Sequence, residues 1–391
     1  MIAGAPDHGS VIRRFREQNM AIQIPLSRPD VSEEEIAAVS AVLRTPRLSL
    51  GDKLTEFEGA LARYSGCAHA VAVSSGTAAL HLSLLVAGVR PDDEVIVPSF
   101  AFIAVANAVR YVRAVPVFVD IDERTLNLAP AAVAAAITSR TRAVIVVHTF
   151  GVPAAMEELL KIARRHELRV IEDACEAIGG DYDGRILGSL GDAGVFGFYP
   201  NKQITTGEGG MLVTNDAEMA ARARMLRNQG RAPSGDWFEH EEIGYNYRIS
   251  EMSCALGVAQ LVRLDEILAQ RAAVAQMYCE RLRGIADLQL PLMELGRGKI
   301  SWFVYVVRLA ERFRGAGRDR VAASLTERGI GCGRYFAPIH RQRAYREVPH
   351  RCMDLRVTES VAERTLALPF FNRITREQVD EVCSALKDAL A

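Results

Sequence analysis

No apolar run in this 391-residue chain approaches the length of a membrane-spanning helix. The longest, such as Ala143–Val147, fall far short of the roughly 20 residues a bilayer requires. The first residues, Met1 to Gln18, carry Arg13, Arg14 and Arg16 but no apolar core, which excludes a secretory signal. There is no surplus of positive charge: the formal net charge is -1, so nothing points to nucleic acid or an anionic membrane as partner. The 7 cysteines form no Cys-x-x-Cys pair, which argues against a disulfide framework or a zinc site and predicts reduced thiols in a cytoplasmic protein. No metal site is expected. The chain also lacks a GxxxxGK[ST] loop near Lys202, and Gly188-x-x-Gly191-x-x-Gly194 is not a dinucleotide fingerprint. Those absences argue against an ATPase or a nicotinamide enzyme. Repeats and low-complexity segments are missing too.

What is present is an ordinary globular composition, 49% hydrophobic and 24% charged, in a chain long enough for two domains. From about Ser32 onward, helices alternate with short apolar strands. Ser32-Glu33-Glu34-Glu35 opens a capped helix that continues through Leu43. Strands are expected at Ala70–Ser74, Glu94–Pro98, Val115–Val119, Ala143–Val147 and Arg169–Ile171. This rhythm predicts an α/β fold, a mainly parallel sheet between helices. Gly210–Thr214 follows Lys202 too soon for a crossover helix, so it should return antiparallel. One long helix is expected from about Glu251 to Gly284. A strand at Ser301–Leu309 and helices at Asp319–Glu327 and Arg376–Leu390 then predict a smaller α+β domain. The expected division is a flexible extension over 1–24, a large domain over 25–264 and a small domain over 265–391.

Ligands of parallel sheets bind beyond the carboxyl ends of the strands. Ser74-Ser75-Gly76-Thr77, Pro98-Ser99, His148 and Asp173 all fall at such ends. Ser75-Gly76-Thr77 opens a helix, and free N–H groups there suit a phosphate; the same triplet also reads as an ordinary N-cap. Asp173 requires a cationic partner if it is buried and ionised, or it caps the next segment. Lys202 sits in Pro200-Asn201-Lys202-Gln203-Ile204, a tight turn with a Gly-rich return. A lysine held by the backbone can meet one carbonyl carbon in a fixed geometry. Cradle, acid and lysine together match what pyridoxal 5′-phosphate needs: a phosphate grip, a partner for the ring nitrogen and an amine for the Schiff base.

These segments occur in a linked series: Ser74-Ser-Gly-Thr-Ala-Ala-Leu80, Asp93-Glu-Val-Ile-Val-Pro-Ser99, Glu172-Asp-Ala-Cys-Glu-Ala177, Asn201-Lys202, Thr206-Gly-Glu-Gly-Gly210 and Gly244-Tyr-Asn-Tyr-Arg248. Their order and spacing resemble the DegT/DnrJ/EryC1/StrS family of sugar aminotransferases, from roughly Pro25 to the C-terminus. The resemblance implies a fold-type I pyridoxal phosphate transferase, with a seven-stranded type of large sheet and a smaller C-terminal α+β domain. It implies Lys202 as the Schiff-base lysine and proton carrier, Asp173 on the ring nitrogen and Glu176 at the cofactor face. It further implies Ser75, Gly76 and Thr77 at the phosphate, Phe102 stacked on the ring, and Asn246 reaching the phosphate of a neighbouring subunit in a homodimer with shared sites. Glu176 and the Asn-Lys-x-Ile-Thr-Thr run resemble the GDP-perosamine synthase-like 4-aminotransferase branch. The implied reaction moves an amino group from L-glutamate to a 4-keto-6-deoxy nucleotide sugar. A 3-keto sugar or keto-cyclitol acceptor, and a cofactor-binding regulatory role, remain open alternatives. His148, Arg248 and His340 are candidate substrate contacts. In one respect the chain departs from the family pattern: Gly197 stands where relatives commonly place a phosphate-binding Ser.

Overall fold

A computed structural model of the chain describes residues 22–232 and 239–391. The expected N-terminal extension therefore lies outside the described residues, apart from 22–24. Ile24 is already core, bridged to Ile330 with both Gln23 N and Ile24 N donating to Gly329 O.

The main sheet follows the strand pattern read from the sequence. Its strands are β1 (His69–Val73), β2 (Glu94–Pro98), β3 (Val115–Val119), β4 (Thr141–Val147) and β5 (Arg169–Asp173). A two-stranded hairpin, β6 (Asp181–Tyr182) with β7 (Arg185–Ile186), separates these from β8 (Ala193–Gly197) and β9 (Gly210–Thr214). The sheet order is β1-β9-β8-β5-β4-β2-β3-β12, so it has eight strands, one more than expected. The addition is β12 (Arg351–Cys352), a two-residue strand that pairs parallel with β3. Only β9 runs against the rest, pairing antiparallel with both β8 and β1. All the other carboxyl ends therefore share one edge, where a ligand site belongs.

The middles of the interior strands, Val95–Val97 of β2 and Ala143–Val147 of β4, are apolar and buried, as burial on both faces demands. The helix Gly76–Val86 follows β1 and is apolar almost all round; residues 78–84 are buried without exception. Burying each of Leu80, Leu82 and Leu84 contributes about 1.5–3 kcal/mol, which fixes the helix, and with it Gly76, against the sheet.

A second sheet, in the order β10 (Leu288–Gln289), β11 (Tyr305–Leu309) and β13 (Thr365–Leu368), has its own core with Tyr278, Leu325 and Leu386. β11 begins four residues later than the sequence suggested. The long helix expected from Glu251 is two helices, Glu251–Val262 and Leu264–Leu282. The break is Arg263, whose N–H turns back to Gln260 O and Leu261 O. Its guanidinium meets Glu35 at 2.9 Å and Asp30 at 3.4 Å. Tertiary pairing at this residue overrides the continuous helical pattern.

Glu35 closes the capping box of the helix Glu33–Leu43, as the Ser32-x-x-Glu spacing predicts, and it is fully buried. Burial pushes its carboxyl up, but hydrogen bonds from Ser32, Gln260 and Arg263 outweigh that and bring it down to about 2, from 4.5. A depressed carboxyl contributes stability above its unfolded value, and that contribution is lost as pH falls towards the folded one. Between about pH 5 and pH 3 the parent protein should therefore lose about 2 kcal/mol more unfolding free energy than Glu35→Gln. Urea titrations across that range measure it; parallel pH slopes would show that Glu35 is not the group responsible.

Candidate active site

Lys202 lies in a loop that is closed on itself. Phe198 O accepts from Thr206 N and Thr205 Oγ1, both at 3.0 Å, while Lys202 N donates to Tyr199 O at 2.9 Å. Thr205 N and Gln203 Nε2 fasten the loop outward, the first to Gln260 Oε1 and the second to Glu176 O and Ser301 Oγ. The lysine side chain is 15% exposed, consistent with an amine held by its surroundings. Its Nζ stands 3.7 Å from Glu176 Oε1 and 4.0 Å from the centre of the Phe303 ring.

Glu176 is buried and accepts a bond from Phe150 N at 2.9 Å. Burial pushes its carboxyl up, against the opposing pull of Lys202 and the Phe150 N–H. Asp173 ends β5 at 8% exposure. It accepts from Cys175 N at 3.0 Å, and among the described residues no cation lies within 4.0 Å of it. The next acid back, Glu172, has a different task. It is fully buried and accepts from Gly188 N, Leu190 N and Gly191 N, so it anchors the loop that precedes β8.

Cys175 joins these parts. Burial drives its thiol well above 9.0, with Asp173, Lys202 and Glu176 all close enough to act on it electrostatically. A Cβ placed on Gly76 would sit 2.9 Å from Cys175 Sγ, and one on Gly197 would sit 3.1 Å from the same atom. The start of the Gly76–Val86 helix, the end of β8 and the segment after β5 therefore touch through Cys175. Ser75 caps that helix by accepting from Ala78 N at 3.1 Å. Among the described residues, the N–H groups of Gly76 and Thr77 meet no acceptor. Unmatched donors at the N-terminus of an 11-residue helix have the polarity that suits an anion.

Phe102 is 62% exposed beyond the end of β2, on the same edge of the sheet. Asn246 is exposed on the segment that abuts the cradle, where Tyr247 O accepts from Ser74 N at 2.8 Å. Arg248 Nη1 donates to Asn228 Oδ1 at 3.1 Å, and Asn228 bridges to Asn246.

Two sequence candidates are held elsewhere. His148 is fully buried: its Nδ1 accepts from Ala154 N at 3.1 Å and its Nε2 meets Glu172 at 3.0 Å. With both nitrogens engaged inside the core, it is a structural histidine. His340 lies between Ser99 Oγ at 2.7 Å and Glu359 Oε1 at 3.1 Å. It clips the end of β2 to the helix Arg356–Ala362, and burial pushes its imidazole down. Neither ring has a nitrogen left to offer a substrate. The loop 231–240 lies partly outside the described residues. No motif in the sequence marks Phe303, which lies two residues before β11 and meets Lys202 only through the tertiary fold. Nor does any motif mark Cys175 as the contact between three segments.

A side chain at position 197 would crowd Cys175. Gly197→Ser should cost about 1–3 kcal/mol through crowding, and Cys175→Ala in the same chain should recover the part due to the sulfur. Urea denaturation of the two single variants and the double variant tests this; strictly additive losses would show that the two positions do not share space.

The family model for the DegT/DnrJ/EryC1/StrS aminotransferases matches residues 29–387. The chain is 43% identical over 344 residues to GDP-perosamine synthase of Caulobacter vibrioides, covering 88% of this chain and 91% of that one. It is 37% identical over 376 residues to the spore coat polysaccharide biosynthesis protein SpsC of Bacillus subtilis, covering 93% and 96%. Among solved structures, the aminotransferase TlmJ from Streptoalloteichus hindustanus superposes with a TM-score of 0.88 at 33% identity, over 94% of this chain and 99% of that one. Aminotransferases of this family use pyridoxal 5′-phosphate. The chain belongs to the DegT/DnrJ/EryC1/StrS aminotransferase family.

Proposed function

We propose that this enzyme transfers an amino group from L-glutamate to the C4 keto group of a 6-deoxy sugar linked to a nucleotide. The observation that carries the site assignment is Asp173, a buried carboxylate with no cation within 4.0 Å among the described residues, on the same edge as Lys202 and the open helix terminus. A buried acid of this kind needs a positive partner, and a protonated pyridine nitrogen supplies one. The cradle fits the other end of the same molecule, since Gly76 has no Cβ and its N–H and that of Thr77 are unmatched. Bound there, pyridoxal 5′-phosphate would supply the electron sink that makes a substrate Cα–H acidic.

The chain's own residues then divide the work. Ser75, Gly76 and Thr77 would hold the phosphate, Asp173 would keep the ring nitrogen charged, and Phe102 would offer an aromatic face from its exposed position. Lys202 takes and returns the proton, with Glu176 3.7 Å away to balance its charge. Arg248 is suited to the carboxylate of the amino donor, because a guanidinium matches a carboxylate bidentately. The relative named GDP-perosamine synthase supports a 4-keto acceptor, and so does the Glu at position 176.

A homodimer with shared sites accounts for the exposure of Asn246, which would reach a neighbour's phosphate. Large apolar side chains at the surface, Leu43, Leu48 and Val262, fit such an interface. The cysteines at 67, 175, 254, 279, 332, 352 and 383 are all free, which fits a reducing cytoplasm. Among the described residues, no helix is long and apolar enough to cross a membrane.

Purified protein loaded with pyridoxal 5′-phosphate should absorb near the visible edge and lose that band when L-glutamate is added. Lys202→Ala should lower turnover by roughly 10⁴-fold or more. Among candidate acceptors, 4-keto-6-deoxy nucleotide sugars should outpace 3-keto sugars and keto-cyclitols. A protein that stays colourless after reconstitution would sink the reading.

A further inference from the structure

We propose that Phe303, pinned through its backbone by Arg271, is a positioning residue that holds the Lys202 amine beside Glu176. The inference rests on Lys202 being the reactive amine, as proposed above.

Arg271 lies on the helix Leu264–Leu282 and is buried. Its Nε donates to Trp302 O at 2.7 Å, its Nη2 to Phe303 O at 2.6 Å and its Nη1 to Asn372 Oδ1 at 2.9 Å. Among the described residues, no carboxylate lies within 4.0 Å of it. Burial pushes the guanidinium down to about 9, which leaves it charged near neutrality. A buried cation without a counter-ion is costly unless its donors are all used. Here two of the three bonds go to consecutive carbonyls, so the peptide between Trp302 and Phe303 is fixed in place and in orientation. Asn372 is itself held, with Nδ2 donating to Ile267 O and Gln270 Oε1.

That fixed peptide aims the Phe303 ring. The ring is 2% exposed and packs in one cluster with Phe100, Phe150 and Val304. Its face lies 4.0 Å from Lys202 Nζ, and an ammonium over an aromatic face gains about 0.5–1 kcal/mol or more. Phe150, from the same cluster, supplies the N–H that orients Glu176. One apolar cluster therefore carries both groups that meet the amine. The residue before the pair, Ser301, accepts from Gln203, the residue after Lys202, and donates to Ile178 O. The segment 301–303 thus couples the second sheet to the lysine loop at two points.

The test uses the full chain without cofactor and reads acetylation of Lys202 by N-hydroxysuccinimidyl acetate, with peptide mass spectrometry at fixed pH. Lys161, 63% exposed on a distant helix, is the internal standard. Phe303→Leu, which fills space but offers no aromatic face, should raise Lys202 labelling relative to Lys161 by about threefold. Arg271→Met should raise it similarly, and the double variant should show no further rise, because both act through one contact. Arg271→Lys, which keeps the charge but cannot bridge both carbonyls, replaces Arg271→Met if the latter does not fold. Labelling unchanged in Phe303→Leu would overturn the proposal. A rise in Phe303→Leu with none in the Arg271 variant would overturn the part assigned to Arg271. Failure of the parent to take up pyridoxal 5′-phosphate would sink the cofactor reading and leave the labelling result intact, so the two failures are distinct.

Discussion

The site depends on a close approach of three backbones around one sulfur. The start of the Gly76–Val86 helix, the end of β8 at Gly197 and the turn after β5 meet at Cys175, where a carbon added at either glycine would crowd the sulfur. Gly210, opposite Gly197 on β9, extends the same constraint: a Cβ there would strike the Ser75 carbonyl. Interiors are packed to crystal-like density, so such a contact transmits position and does not absorb it. The open helix terminus, Asp173 and the lysine loop are thereby fixed relative to one another before any ligand arrives. A hydroxyl at position 197 would have to share this space. A side chain there competes with the thiol that holds the parts together.

Electrostatics adds a second constraint. Three acids lie within five residues of sequence, and their surroundings assign them different work. Glu172 is surrounded by backbone N–H groups and His148, so its charge is spent on structure. Glu176 meets one backbone N–H and an ammonium. Asp173 meets one backbone N–H and nothing positive within 4.0 Å among the described residues. Burial penalises a bare carboxylate more than a satisfied one. Asp173 is therefore the acid of the three that the described residues satisfy least.

Much of this was legible in the chain. Alternating apolar strands and capped helices gave the parallel sheet, and the short return after Lys202 gave the antiparallel β9, because these signals are local. The acids and glycines at strand ends could be found for the same reason, since topology alone puts them on one edge. What could not be read depends on pairing across long separations. The helix from Glu251 breaks at Arg263 because Glu35, more than two hundred residues earlier, captures its guanidinium. The strand at Arg351 is too short to carry a periodic signal, and it exists only because β3 offers an edge. His148 and His340 stood at suggestive places, yet a histidine at a strand end is a ligand only if a ring nitrogen is left over. In both, a carboxylate and a second partner occupy the ring.

The same long separations bring residues beside a second sheet, far along the chain, into contact with the lysine loop. The polar groups on both sides of this junction are buried, and each is answered mainly by backbone atoms. Arg271 bonds to the carbonyls of Trp302 and Phe303, Ser301 to the carbonyl of Ile178, and Gln203 to the carbonyl of Glu176. A buried bond to a carbonyl is strong where water is excluded, and breaking one partner leaves the other unsatisfied. A side-chain partner could rotate away to relieve that cost, whereas a carbonyl within a packed strand entry or loop cannot. The interface therefore favours one arrangement over any nearby one. The amine of Lys202 inherits that definition through Phe303 on one side and Glu176 on the other.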